Sequence, residues 1–138
     1  MKRQGSSIIF INDNNEILLF LRDDKPSIPF PNMWDLPGGH VEENETPEES
    51  IVREMKEELE LDIKECQLFS VSEFPDRIEY TFWEKANLDI DRIRLHEGQY
   101  LRWFNENEIE NTELAMGFNQ ILRDFFTKDP FSDSPSSW

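Results

Sequence analysis

The stretch that decides the fold runs Gly38-Gly39-His40-Val41-Glu42-Glu43-Asn44-Glu45-Thr46-Pro47-Glu48-Glu49-Ser50-Ile51-Val52-Arg53-Glu54-Met55-Lys56-Glu57-Glu58-Leu59-Glu60-Leu61. Two glycines present backbone rather than side chain. Thr46, Pro47 and Glu49 form a helix start: an N-cap, a proline at the first helical position and the acidic partner of a capping box. Ile51, Met55 and Leu59, with Val52 adjoining, make one apolar helical stripe. The other face carries Arg53, Glu54, Glu57 and Glu58, and the i,i+3 and i,i+4 spacings let the three carboxylates converge. Like charges at those spacings cost helix stability, and a hard divalent cation such as Mg²⁺ or Mn²⁺ compensates by taking oxygen ligands. An acidic helix face alone is usually only a solvated face. The preceding glycines and the downstream Glu97 change that reading.

Outward from the helix, residues 6–11 and 16–21 predict two strands joined by the turn-forming Asn12-Asp13-Asn14-Asn15. Residues 23–32 hold Pro26, Pro29 and Pro31 and predict a loop. Residues 66–74 and 78–86 predict strands about the turn Pro75-Asp76-Arg77, and residues 99–104 another. Residues 106–110 predict a short helical turn. In residues 114–126, Leu114, Phe118, Ile121, Leu122 and Phe125 share one face and predict a second long helix. The element order implies one α+β domain over residues 1–128, layered helix, sheet, helix, with residues 129–138 a disordered tail.

The 138 residues suffice for one domain with a real core. With 14 Lys plus Arg against 30 Asp plus Glu, the net charge is −16. That field disfavours nucleic acid polymers and anionic membrane surfaces. A small anionic substrate remains accessible if metal ions bridge it to the carboxylates. The single cysteine, Cys66, permits no intrachain disulfide, and no apolar run approaches membrane-spanning length. A cytoplasmic protein, monomer or homodimer, is the expectation.

Taken together, these residues resemble the Nudix box: Gly, five residues, Glu, seven residues, then Arg-Glu-apolar-any-Glu-Glu-any-Gly-apolar. Gly39, Glu45 and the run from Arg53 to Leu61 match it, with Glu60 in place of the late glycine. That departure touches the helix exit, where glycine supplies a left-handed cap. It leaves the carboxylates in place. Trp34 to Gly39, Glu97-Gly98 and Trp103-Phe104 extend the likeness to residues 5–127. The resemblance implies an α/β/α sandwich with a central mixed sheet. It also implies metal-dependent hydrolysis of a nucleoside diphosphate linked to another moiety. Under it, Glu54, Glu57, Glu58 and Glu97 hold metal with the Gly38 carbonyl, and Glu97 is a candidate general base. Arg53 and Glu45 orient the ligands, and Gly39 belongs to the same support.

Within the family the chain looks most like MutT-type hydrolases of oxidised nucleotides, through Glu73-Phe74-Pro75-Asp76-Arg77 and Arg22. That likeness puts Arg22 near the nucleotide, and Asp76 and Arg77 near a purine. On composition alone Pro75-Asp76-Arg77 is equally an ordinary turn. Leu36 stands where those enzymes have an aromatic. Their base-reading asparagine aligns with Phe118, with Asn119 one residue on. The expected activity is conversion of a purine nucleoside triphosphate to monophosphate and pyrophosphate. The alternatives are hydrolysis of a nucleotide sugar or related diphosphate, and a non-catalytic nucleotide-binding module.

Overall fold

A computed structural model describes residues 2–130. Of the expected tail at 129–138, residues 131–138 lie outside the described residues. The chain runs β1 (Arg3–Ile11), β2 (Ile17–Leu21), β3 (Trp34–Asp35), β4 (Gly38–His40), α1 (Pro47–Leu59), β5 (Gln67–Glu73), β6 (Arg77–Lys85), β7 (Tyr100–Phe104), α2 (Glu106–Glu110) and α3 (Phe118–Lys128). One mixed sheet orders the strands β3-β2-β1-β6-β5, with β4 paired to β1 and β7 to β2. Its centre is the parallel pair β1·β6, in register from Arg3 opposite Arg77 to Ile11 opposite Lys85.

The alternation along β1 builds two cores. Ile8 and Phe10 pack with Leu18, Phe82 and the α1 stripe of Ile51, Met55 and Leu59. Ile9 and Ile11 pack with Ile17, Leu19 and Phe104 against Ile121, Leu122 and Phe125 of α3. Two helices therefore cover opposite faces of the sheet, which is the expected α/β/α sandwich. A strand buried on both faces cannot alternate apolar with polar, and the run from Ile8 to Ile11 is apolar for that reason.

Local chemistry fixes the hairpins as expected. Asn12 Oδ1 accepts from the backbone N–H groups of Asn14 and Glu16, and Asn15 takes φ 57°, closing the β1–β2 turn. Phe74 and Arg77 exchange backbone hydrogen bonds of 2.8 and 3.4 Å around Pro75-Asp76. Thr46 and Glu49 form the capping box at the start of α1.

One element differs. The helix expected from Leu114 begins at Phe118, and Ala115–Gly117 form a 3-10 turn. Met116 and Gly117 take φ 58° and 77°, outside the right-handed helical region. The Asn119 side chain accepts from the Leu114 N–H at 2.8 Å, so the segment is held as a loop folded onto the start of α3. The apolar stripe is real, but Leu114 reaches the core from this loop rather than from the helix.

Candidate active site

Arg53 organises the carboxylates of α1. Its guanidinium donates twice to Glu45, at 2.8 and 3.1 Å, and to Glu54 at 2.8 Å, Glu57 at 3.0 Å and the His40 carbonyl at 3.1 Å. These charge-assisted bonds from Arg53 hold the Glu45 carboxyl down to about 2, so it stays ionised. One cation thus ties the loop before α1 to two acidic side chains on the helix.

The paired glycines serve close approach. A Cβ on Gly39 would lie 2.2 Å from Glu54 Cδ, and one on Gly38 would lie 2.0 Å from the Ser6 carbonyl oxygen. Any side chain at Gly39 would displace the Glu54 carboxylate, and any at Gly38 would push β4 off β1.

Glu58 hydrogen-bonds to Glu97 on one side and to Glu54 on the other. Its carboxyl is pushed well above the usual carboxylate range, by desolvation first and then by its contact with Glu97 and the charges of Glu97 and Glu54. Desolvation raises Glu54 as well, against the pull of Arg53. Gly38, Glu58 and Glu97 line one cleft with Phe20, Pro37, Leu59 and Leu95. Residues 39 positions or more apart in sequence therefore meet, and Glu97 joins the helix carboxylates as the spacing could not show. Glu57 stands apart: it is more than half exposed and turned to Arg53. As placed, no group of three or more His, Cys, Asp or Glu among the described residues is arranged to hold a metal ion.

The expected nucleotide-contacting residues fall elsewhere, and most are occupied by the protein itself. Arg77 is buried. It donates to Glu79 at 2.8 Å and to the Met116 carbonyl at 3.0 Å, and stacks over Phe74 at 4.2 Å. Phe118 and Leu36 belong to the core under α3. Asn119 spends its amide on the carbonyls of Ile109 and Thr112 and its oxygen on Leu114. As placed, Leu36, Arg77 and Phe118 are buried, and Asn119 is half-buried with its side chain bonded to backbone groups. Asp76 remains exposed, facing Arg3 and Arg77.

Arg22 pairs with Asp35 at 3.0 Å and donates to the Pro29 carbonyl at 3.1 Å, pinning the proline-rich loop. Asp35 is buried, and its Oδ1 has no hydrogen-bond partner among the described residues. Burial pushes its carboxyl up to about 7, with Arg22 pulling the other way. The folded state then keeps a proton that the unfolded chain releases near pH 4. Stability from this group is present at low pH and is lost as pH rises from about 4 to about 7, by at most about 1.4 kcal/mol per unit. Asp35→Asn should abolish that slope. Urea unfolding of both proteins between pH 4.5 and 8 checks it, and a wild-type-minus-variant difference that grows with pH would show an ionised Asp35 instead.

Two pairings escaped the sequence reading. Glu60 Oε2 lies 2.5 Å from His96 Nε2, and the Ser6 and Ser50 hydroxyls lie 2.9 Å apart between β1 and α1. Neither leaves a periodic signal, because each joins segments distant in sequence.

The NUDIX domain family profile matches residues 1–125. The 8-oxo-dGTP diphosphatase of Escherichia coli is 40% identical over 78 residues, 54% of this chain and 59% of that protein. The Proteus vulgaris enzyme of the same name is 46% identical over 46 residues, 32% of this chain and 41% of its own. An ADP-ribose pyrophosphatase of Methanocaldococcus jannaschii is 46% identical over 67 residues, 49% of this chain and 38% of the relative. The matched spans thus cover about two-fifths to three-fifths of these relatives. Among solved structures, the MutT protein of Methanosarcina mazei superposes with a TM-score of 0.75 at 23% identity, over 94% of this chain and 96% of the other. The NUDIX domain of Shewanella oneidensis NrtR, solved with ADP ribose, gives 0.76 at 13% identity, over 96% and 90%. These two likenesses speak for the fold alone. The family profile spans all of the sheet, α1 and most of α3, and the box residues it contains meet around Arg53 and Glu58: the chain belongs to the Nudix family.

Proposed function

We propose that the chain is a divalent-metal-dependent pyrophosphohydrolase that converts a nucleoside triphosphate, preferentially an oxidised purine, to monophosphate and pyrophosphate. The observation that carries the reading is the contact of Glu58 with both Glu54 and Glu97 beside Gly38 in one cleft. The donors are all hard oxygens, the set that suits Mg²⁺ or Mn²⁺. Glu58 is crowded against Glu54 and Glu97, which gathers negative charge that a cation would neutralise, and Gly39 keeps room for Glu54. Glu54, Glu57, Glu58 and Glu97 would hold the metal with the Gly38 carbonyl, once the Glu57 side chain swings from Arg53. When bound, the cation neutralises the diphosphate and favours ionisation of water.

The chain's own residues supply the rest. Arg53 fixes the Glu54 rotamer through a 2.8 Å bond and keeps Glu57 within reach of the same side. Glu97, on the opposite wall from α1, offers a carboxylate oxygen to take the proton from attacking water. Asp76 is the exposed residue of the nucleotide set; Arg22, Arg77 and Asn119 would each exchange an internal hydrogen bond for a ligand contact.

Substrate preference draws on the relatives named 8-oxo-dGTP diphosphatase; the ADP-ribose pyrophosphatase likeness supports a nucleotide-sugar reading. Hydrolysis of oxidised dGTP, dGTP, dCTP and ADP-ribose in Mg²⁺, scored by product, separates them. The expected result is pyrophosphate release, with kcat/KM highest for oxidised dGTP. Higher kcat/KM for ADP-ribose would replace the triphosphate reading. No hydrolysis of any of the four would favour the binding-module reading. Cytoplasmic location and a monomeric or homodimeric state belong to the same proposal; among the described residues no helix is long and apolar enough to cross a membrane.

A further inference from the structure

Glu60 occupies a position where the chain turns left-handed, with φ 54° and ψ 37°. A non-glycine residue there is strained relative to glycine. Its backbone nevertheless closes α1, with the Glu60 N–H donating to Lys56 O at 3.2 Å and the Leu61 N–H to Met55 O at 3.1 Å. The side chain explains what the strain is set against. Glu60 Oε2 meets His96 Nε2 at 2.5 Å, and the His96 N–H donates to the Glu58 carbonyl at 2.8 Å. His96 is thus fastened to the end of α1 twice, and Glu97 follows it directly.

On the far side of Glu97 the chain is fastened to β2. Gly98 takes φ 89° and lies so close to β2 that a Cβ would stand 2.6 Å from the Phe20 ring and 2.9 Å from Leu21 O. The Gln99 N–H donates to Leu21 O at 2.7 Å. Glu97 is therefore held between two anchors on a long connection from β6 to β7.

We propose that Glu60 and His96 form a clamp that fastens the Glu97 segment to the C-terminal end of α1, making both of them positioning residues for the Glu97 carboxylate. The inference rests on the Glu97 role in the proposed function. The pair is half-exposed, so its own worth to stability is small and its loss leaves the fold standing. Glu60→Gly makes a clean test, because glycine relaxes the left-handed position while removing the carboxylate.

The experiment measures Mn²⁺ binding to the nucleotide-free protein by electron paramagnetic resonance, with amide exchange at residues 96–99 alongside. Glu60→Gly and His96→Ala should each weaken Mn²⁺ binding about tenfold and speed that exchange. The double variant should be no worse than either single one, since both remove the same contact. Glu60→Gln, which still offers Nε2 a partner, should restore most of the binding. The melting temperature of Glu60→Gly should equal or exceed wild type. Unchanged Mn²⁺ binding in Glu60→Gly and His96→Ala, with binding weakened in Glu97→Gln, would overturn the clamp and leave the Glu97 assignment standing. Unchanged binding in Glu97→Gln would overturn that assignment and the clamp with it.

Discussion

Glu58→Gln is expected to slow turnover at least about a hundredfold while raising the stability of the metal-free protein. Glutamine keeps the shape and removes the charge, and an electrostatic contribution of this kind amounts to roughly 3 kcal/mol or more. The stability gain follows from the surroundings. Glu58 is in contact with Glu54 and Glu97, and desolvation and those neighbours push its carboxyl well above the usual carboxylate range. An amide lacks that conflict, so the melting temperature should rise by a few degrees as activity falls, the trade expected of a site built from like charges. Glu57→Gln should lose a similar factor without the stability gain, because Glu57 is exposed and paired with Arg53. Steady-state kinetics at limiting Mg²⁺, with thermal melts in chelator, measure both. Activity within tenfold of wild type in either variant would remove that residue from the metal site.

Arg77→Met should destabilise the fold by about 3–5 kcal/mol. The guanidinium is the counter-charge of Glu79, which is 4% exposed and lies over Gly5, where a Cβ would stand 2.6 Å from Glu79 Oε1. Removing Arg77 strands that carboxylate, frees the Met116 carbonyl and unstacks Phe74. Arg77→Met combined with Glu79→Leu should recover much of the loss, since an apolar pair can replace a buried ion pair at little cost. Urea unfolding reads the difference. A loss below 1 kcal/mol, with a narrowed preference for guanine over pyrimidine nucleotides, would return Arg77 to the role of base reader that the Pro75-Asp76-Arg77 motif suggested.

That motif shows where sequence reading stops. Pro75-Asp76-Arg77 is legible as a turn because proline and aspartate act on their own backbone. Whether Arg77 faces a ligand or the interior depends on Glu79, Met116 and Phe74, which reach it through a parallel strand and a loop 39 residues away. Helix α3 shows the same limit. The periodicity from Leu114 to Phe125 is correct as a stripe, yet the left-handed turn at Met116 and Gly117 shortens the helix, and that turn is held by tertiary bonds from Arg77 and Asn119.

The sequence by itself determined the α1 helix, its cap, the hairpins, the mixed α/β layering and the carboxylates on one helix face. These follow from spacing, capping chemistry and glycine or proline constraints acting over a few residues. Only the tertiary structure decided that Glu97 meets Glu58, that Glu57 turns to Arg53, that Glu60 takes His96 in place of a glycine's freedom, that Leu36, Arg77 and Phe118 are buried, and that Asn119 bonds backbone groups. Each of these depends on which distant segment arrives to neutralise a charge or fill a volume, and short-range spacing carries no term for that.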